Sequence, residues 1–81
     1  MRIRRTTNFE RCYRKAPKDI QATFDKQVSF LLQNLRHPSL RAKKYDETSG
    51  IWQARVTRDW RFYFVIEDDT YHLINLTVHP K

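Results

Sequence analysis

Glycine and cysteine are almost missing from these 81 residues: Gly50 and Cys12 are the single copies, and prolines number three. One glycine cannot build a glycine-rich phosphate loop, so P-loop nucleotide hydrolysis is excluded, and no stretch reads as a flexible linker, repeat or low-complexity segment. One cysteine excludes an intrachain disulfide. His37, His72 and His79 stand at no metal-ligand spacing, so neither a metal nor a cofactor is expected. Cys12 itself falls on an apolar helical stripe and reads as packing rather than as a nucleophile. The chain also lacks a signal-peptide h-region and any apolar run long enough to cross a bilayer, which leaves no membrane partner and a reducing cytoplasm as the expected location. Acidic residues are scarce, 9 against 16 Lys and Arg, for a net charge of +7. A polyanionic partner follows, nucleic acid before an acidic protein. The length fits one domain, residues 1–81.

What the chain does have is concentrated between Gly50 and His79. Ile51 to Thr57, Trp60 to Glu67 and Tyr71 to His79 are rich in aromatic and β-branched residues, and Arg58-Asp59 and Asp68-Asp69-Thr70 are short polar connections between them. These spacings predict an antiparallel three-stranded meander. Alternation sorts its side chains onto two faces. Trp52, Ala54, Val56, Phe62, Phe64, Ile66, Ile74, Leu76 and Val78 form an apolar set that should meet the core. Gln53, Arg55, Thr57, Arg61, Tyr63, Val65, Glu67, Asn75, Thr77 and His79 form a polar, partly cationic set.

Upstream, Arg2 to Thr6 carries Ile3 between arginines and fits an edge strand or arm. Thr7 or Asn8 is the expected N-cap of a first helix whose apolar face is Phe9, Cys12, Tyr13 and Ala16, stopped by Pro17. Pro17 and Asp19 suit the first turn of a second helix with the stripe Ile20, Phe24, Val28, Leu31 and Leu35, ending before Pro38. Pro38 to Ser49 reads as a basic connection holding Arg41, Lys43 and Lys44. The expected architecture is α+β, two helices packed on an antiparallel sheet of three or four strands.

The residues able to do chemistry are Arg55, Asp59, Trp60, Arg61, Tyr63 and His79, joined by Lys43 and Lys44. RNA is cut when its 2′-hydroxyl is deprotonated and attacks the neighbouring phosphate, a step that needs a base, an acid and cations for the developing charge. Asp59 or His79 suits proton transfer, the arginines suit a phosphate, and Trp60 or Tyr63 suits stacking on a base. By parity Trp60 points to the core face, where packing is its alternative use. On this reading truncation of Arg61 changes stability by less than about 1 kcal/mol, whereas Phe64→Ala costs about 3 to 5 kcal/mol.

The run from Trp52 to Ile66 resembles the RelE/ParE superfamily of bacterial toxin-antitoxin toxins. The likeness rests on its Arg-x-x-x-Asp-Trp-Arg hairpin (Arg55, Asp59, Trp60, Arg61), the His37-Pro38-Ser39-Leu40 entry to the basic connection, the Asp68-Asp69 turn and the order of elements. The resemblance implies an mRNA interferase, a metal-independent endoribonuclease that cuts messenger RNA on the ribosome and is held silent by a cognate antitoxin. It places Arg61 where such toxins have a phosphate-contacting arginine, Arg55 where they have a catalytic lysine or histidine, Asp59 and Trp60 on an Asp-Trp pair of the YafQ-like branch, and His79 near that branch's last-strand histidine. The sequence ends at Lys81, before the position of a downstream catalytic aromatic, and Gln53 stands where a lysine would help. ParE-type members share the fold and poison DNA gyrase without cutting RNA. Altered chemistry, a truncated catalytic set, a gyrase-type binder and a non-catalytic basic RNA-binding module therefore stand as alternatives.

Overall fold

The computed structural model describes residues 1–79. In chain order it contains β1 (Arg2–Arg5), α1 (Thr7–Lys15), α2 (Lys18–Gln33), a 3-10 turn (Pro38–Leu40), β2 (Lys43–Asp46), β3 (Ile51–Arg55), β4 (Trp60–Glu67) and β5 (Thr70–Val78). Both helices pack on a five-stranded sheet of order β1-β5-β4-β3-β2. The α+β architecture, the meander and the edge strand at Arg2–Arg5 are as the sequence predicts, with two differences. Arg2–Arg5 joins β5 in parallel, so the sheet is mixed rather than antiparallel, and Lys43–Asp46 adds a fifth strand, at the other edge, antiparallel to β3. The latter carries no apolar alternation because an edge strand with one flank in water tolerates, and is protected by, lysines.

Helix α1 starts one residue earlier than the sequence suggests. The Thr6 hydroxyl accepts from the Phe9 amide at 3.2 Å and donates to the Leu73 carbonyl at 2.9 Å, so one group caps the helix and ties it to β5. Asn8, the alternative cap, instead donates to the Ile74 carbonyl at 2.7 Å. At the other end Gln21 Nε2 donates to the Tyr13 and Ala16 carbonyls, closing α1 from the first turn of α2. Helix α2 ends at Gln33, four residues short of His37, and Leu35 packs on the core from outside it. Its buried positions are Ile20, Phe24, Gln27 and Leu31. A glutamine thus occupies the middle of the stripe.

Phe9, Phe24, Phe62, Phe64, Leu31, Leu40 and Leu73 are fully buried. Phe24 meets Phe9 of the other helix at 5.0 Å and Phe62 of β4 edge-on at 5.1 Å, the latter fixing the helix layer against the sheet, while Phe64 meets Tyr71 edge-on at 5.5 Å within the sheet. The β4–β5 register slips between Tyr63 and Phe64: Tyr63 pairs with Asn75 and Phe64 with Leu73. The bulge at Ile74 corrects the parity assignment on β5, since Tyr71, Leu73 and Leu76 are the buried residues there. Ile66 and Val78, also assigned to the core by alternation, lie near strand ends and are 37% and 55% exposed.

Two outcomes test this packing. Phe64→Ala should lower unfolding free energy by about 3 to 5 kcal/mol, whereas Val78→Ala should stay within about 0.5 kcal/mol, both read by denaturant melts. Burial raises the Tyr71 phenol above its ordinary 10.0, and burial together with the Asp25 carboxylate raises Tyr13 against the opposing pull of Arg5. Folding favours the neutral phenols. Their contribution is therefore complete below pH 10.0 and is lost as pH rises through the higher folded values. Melts taken from neutral to strongly alkaline pH should show that decline, and Tyr71→Phe should flatten it.

Candidate nucleic-acid interface

The β3–β4 hairpin gathers most of the residues singled out by the sequence. Its turn closes through Val56 N and Thr57 N donating to the Trp60 carbonyl, at 3.0 and 3.3 Å, and Trp60 N donating to the Thr57 carbonyl at 3.4 Å. The end of β5 reaches the same turn, because the His79 amide donates to the Asp59 carbonyl at 2.6 Å. Arg55 and Arg61 face each other in register, and Arg61 neighbours Thr77 on β5. One end of the sheet thus carries two arginines, a carboxylate, a hydroxyl and an imidazole.

Like charges directly opposite one another on neighbouring strands repel. Burial, and next the Arg55 charge, push the Arg61 pKa down, Arg41 adds to this, and Tyr63 and Asp59 oppose it. Among the described residues the ion pairs belong to Arg5, which lies 3.4 Å from Glu10 and 3.8 Å from Asp25. Arg55 and Arg61 have no such partner there. Arg61 Nη1 is already occupied, donating to the carbonyls of Thr57, Trp60 and Arg58 at 2.7, 3.0 and 3.1 Å. This arginine holds the turn as well as facing outward. Asp59 is exposed, while Nδ1 of His79 is buried without a partner among the described residues.

The aromatic and lysine candidates divide. Trp60 packs against the core, as its parity suggests. Tyr63 is only 9% exposed; its hydroxyl accepts from Gln53 Nε2 at 3.0 Å, and Tyr45 covers its ring edge-on at 5.0 Å. Tyr45, at 60% exposure, is the ring presented to solvent, and it lines a depression of about 340 Å³ with Tyr63, Ile51, Ile74, Thr77 and Val78. Tyr45 carries no signal in the sequence because it sits at an irregularity between Lys44 and Asp46, in a segment without periodicity. Lys43 pairs with Gln53 on this face, whereas Lys44 turns away and lies 5.4 Å over the Trp52 ring. Among the described residues no cluster of three or more His, Cys, Asp or Glu is arranged to hold a metal ion.

The two arginines should separate in a stability measurement. Arg61→Ala removes the clamp on three carbonyls and should cost about 1 to 2 kcal/mol, more than the sequence alone implies. Arg55→Gln relieves repulsion and should leave stability unchanged or raise it by up to about 1 kcal/mol while weakening polyanion binding. Urea melts of both variants, beside binding to a labelled oligoribonucleotide, provide the check.

No protein-family model matches the sequence, and no curated protein sequence does. Solved structures do. The chain is similar to a YoeB/ParE toxin from Agrobacterium tumefaciens over 99% of this chain and 100% of that one, with a TM-score of 0.81 at 13% identity. It is similar to YafQ from E. coli strain BL21(DE3) over 98% of this chain and 94% of that one, with a TM-score of 0.79 at 18% identity. A third likeness is to a chain of the toxin-antitoxin complex RelBE2 from Mycobacterium tuberculosis, with a TM-score of 0.68 at 27% identity over 96% of each chain. Two helices on a sheet whose parallel edge strand precedes a meander, matched over nearly the full length of such toxins, give this chain the fold of the RelE/ParE toxin superfamily.

Proposed function

We propose that this chain is the toxin of a toxin-antitoxin pair and acts as a metal-independent endoribonuclease on messenger RNA at the ribosome. The observation that carries the reading is the unneutralised Arg55–Arg61 pair at the sheet end that also holds Asp59 and His79. In the reaction the 2′-hydroxyl loses its proton to Asp59 and the 2′-oxygen attacks the adjacent phosphorus. The phosphorus–5′-oxygen bond breaks, and the leaving oxygen takes a proton from His79 Nε2. The products are a 2′,3′-cyclic phosphate and a 5′-hydroxyl, and no step draws on a metal. The exposed carboxylate suits the base, and the arginines offset charge on the phosphoryl oxygens, a contribution commonly worth about 3 kcal/mol of barrier. Tyr45, beside the 340 Å³ depression, offers a face for a base, where stacking commonly contributes about 1 to 3 kcal/mol.

The partner on this reading is an acidic antitoxin, as the mycobacterial neighbour occurs with its own antitoxin. With 16 cations against 9 acids, its affinity should fall as salt rises. A second reading, gyrase inhibition without RNA cleavage, is favoured by the commitment of Arg61 Nη1 to the turn carbonyls, which suits a structural arginine.

Induction without the antitoxin in a bacterial host, with pulse labelling, decides between them. Early loss of protein synthesis and cleaved messenger RNA are expected, with Asp59→Asn slowing cleavage by about a hundredfold or more. Loss of DNA supercoiling while translation continues would overturn the nuclease in favour of the gyrase reading.

A further inference from the structure

Behind the hairpin, on the side away from Tyr45, a cleft of about 560 Å³ runs between α2, the 3-10 turn and the β3–β4 connection. Lys26, Arg41, Arg55 and Arg58 line it together with the hydroxyl residues Thr23, Ser39 and Thr57, and among the described residues no carboxylate does. We propose that this cleft is a second binding site, taking the phosphodiester backbone of single-stranded RNA and extending the track that begins at Arg55 and Arg61. The identity of the polyanion rests on the RNA reading above; the site itself rests on the cleft.

Three observations support it. The cleft has a rigid floor: the buried Gln27 amide donates to the Arg55 carbonyl at 2.7 Å and to the Ser39 carbonyl at 3.1 Å, and accepts from the Ser39 hydroxyl at 3.1 Å. Its walls therefore hold their spacing without a ligand. Arg41, which lines the cleft, adopts φ 47° and ψ 42°, a left-handed conformation that non-glycine residues adopt uncommonly. Its charge is also close enough to add to the lowering of the Arg61 pKa, so the cleft and the Arg55–Arg61 pair share one positive field. Several cations converging without counter-charge attract an anion, and arginine and hydroxyl groups match phosphate oxygens. An acidic protein is the less suited occupant. Among the described lining residues the apolar side chains are Pro38 and Val56, too few for the apolar centre that protein partners bury.

Fluorescence anisotropy of a labelled oligouridylate across a salt series tests the site, with melts confirming that each variant folds. The double variant Lys26→Gln with Arg41→Gln removes two cleft charges; Arg14→Gln with Lys15→Gln removes two exposed charges from α1. Each lost phosphate contact on a single strand lowers the slope of log affinity against log salt by about 0.7, so the cleft variant should lose about 1.4 and the α1 variant should keep the parent slope. Arg41→Asn, which tolerates left-handed backbone, replaces Arg41→Gln should the latter fail to fold. Equal losses from both double variants, or parent affinity in the cleft variant, overturn the proposal. So does a cleft variant that loses binding only to polyglutamate, which assigns the cleft to an acidic protein. Translation arrest by a cleft variant that keeps its RNA slope sinks the cleft and leaves the nuclease standing. The expected slope change in a chain that cuts no messenger RNA does the reverse.

Discussion

The amide of Gln27 projects from the buried stripe of α2 and donates to one carbonyl on the 3-10 turn and another at the end of β3. Both acceptors belong to segments that carry cations, Arg41 just after the turn and Arg55 on the strand. Buried carbonyls left without donors would each cost about 1 to 3 kcal/mol, so α2 cannot shift against the sheet without breaking these bonds. A second buried amide does comparable work on the opposite face, where Gln53 donates to the Tyr63 hydroxyl beneath Tyr45. Polar groups inside the scaffold, rather than loops outside it, therefore set where the charged side chains stand.

Arginines in this chain fall into two electrostatic situations. Arg5 lies against Glu10 and Asp25, with its guanidinium 4.6 Å from the Tyr13 ring centre, and joins β1 to both helices. Its charge is compensated, so it contributes to holding the fold. Arg55 and Arg61 stand opposite one another without ion pairs among the described residues, an arrangement that opposes folding and rewards an incoming anion. Arg61 offsets part of that cost by clamping the turn carbonyls, and the aromatic core of Phe9, Phe24, Phe62 and Phe64 supplies the remainder. Stability is thus spent at the site and recovered in the core, a pattern common to functional surfaces.

Much of this was legible in the residue pattern. The apolar runs after Gly50 marked β3, β4 and β5, and Pro17 separated the helices at the right place. The Arg55, Asp59, Arg61 and His79 group does assemble at one end of the sheet. What escaped was nonlocal. Alternation carries a face along a strand only while the register is unbroken, and the slip opposite Tyr63–Phe64 moved the buried positions of β5 to Leu73 and Leu76. β2 escaped because lysines on an edge look like a loop, and Gln27 escaped because a glutamine in a stripe reads as exposed until its acceptors, from 12 to 28 residues away, are in place. Tyr45 escaped with β2.

Shape and sequence diverge across the matched toxins, since the chain reaches a TM-score of 0.81 at 13% identity and 0.68 at 27%. Such a scaffold accepts many cores of suitable pattern and volume, so its persistence says little about which residues act. On the proposed reading the choice between cutting and binding would fall instead on a few atoms at the hairpin. Arginines alone make a phosphate site, and any polyanion satisfies them. Cleavage would further require a proton acceptor near the 2′-hydroxyl and a donor near the leaving oxygen, and the proposal gives these parts to Asp59 and His79, whose main chains are joined beside the arginine pair.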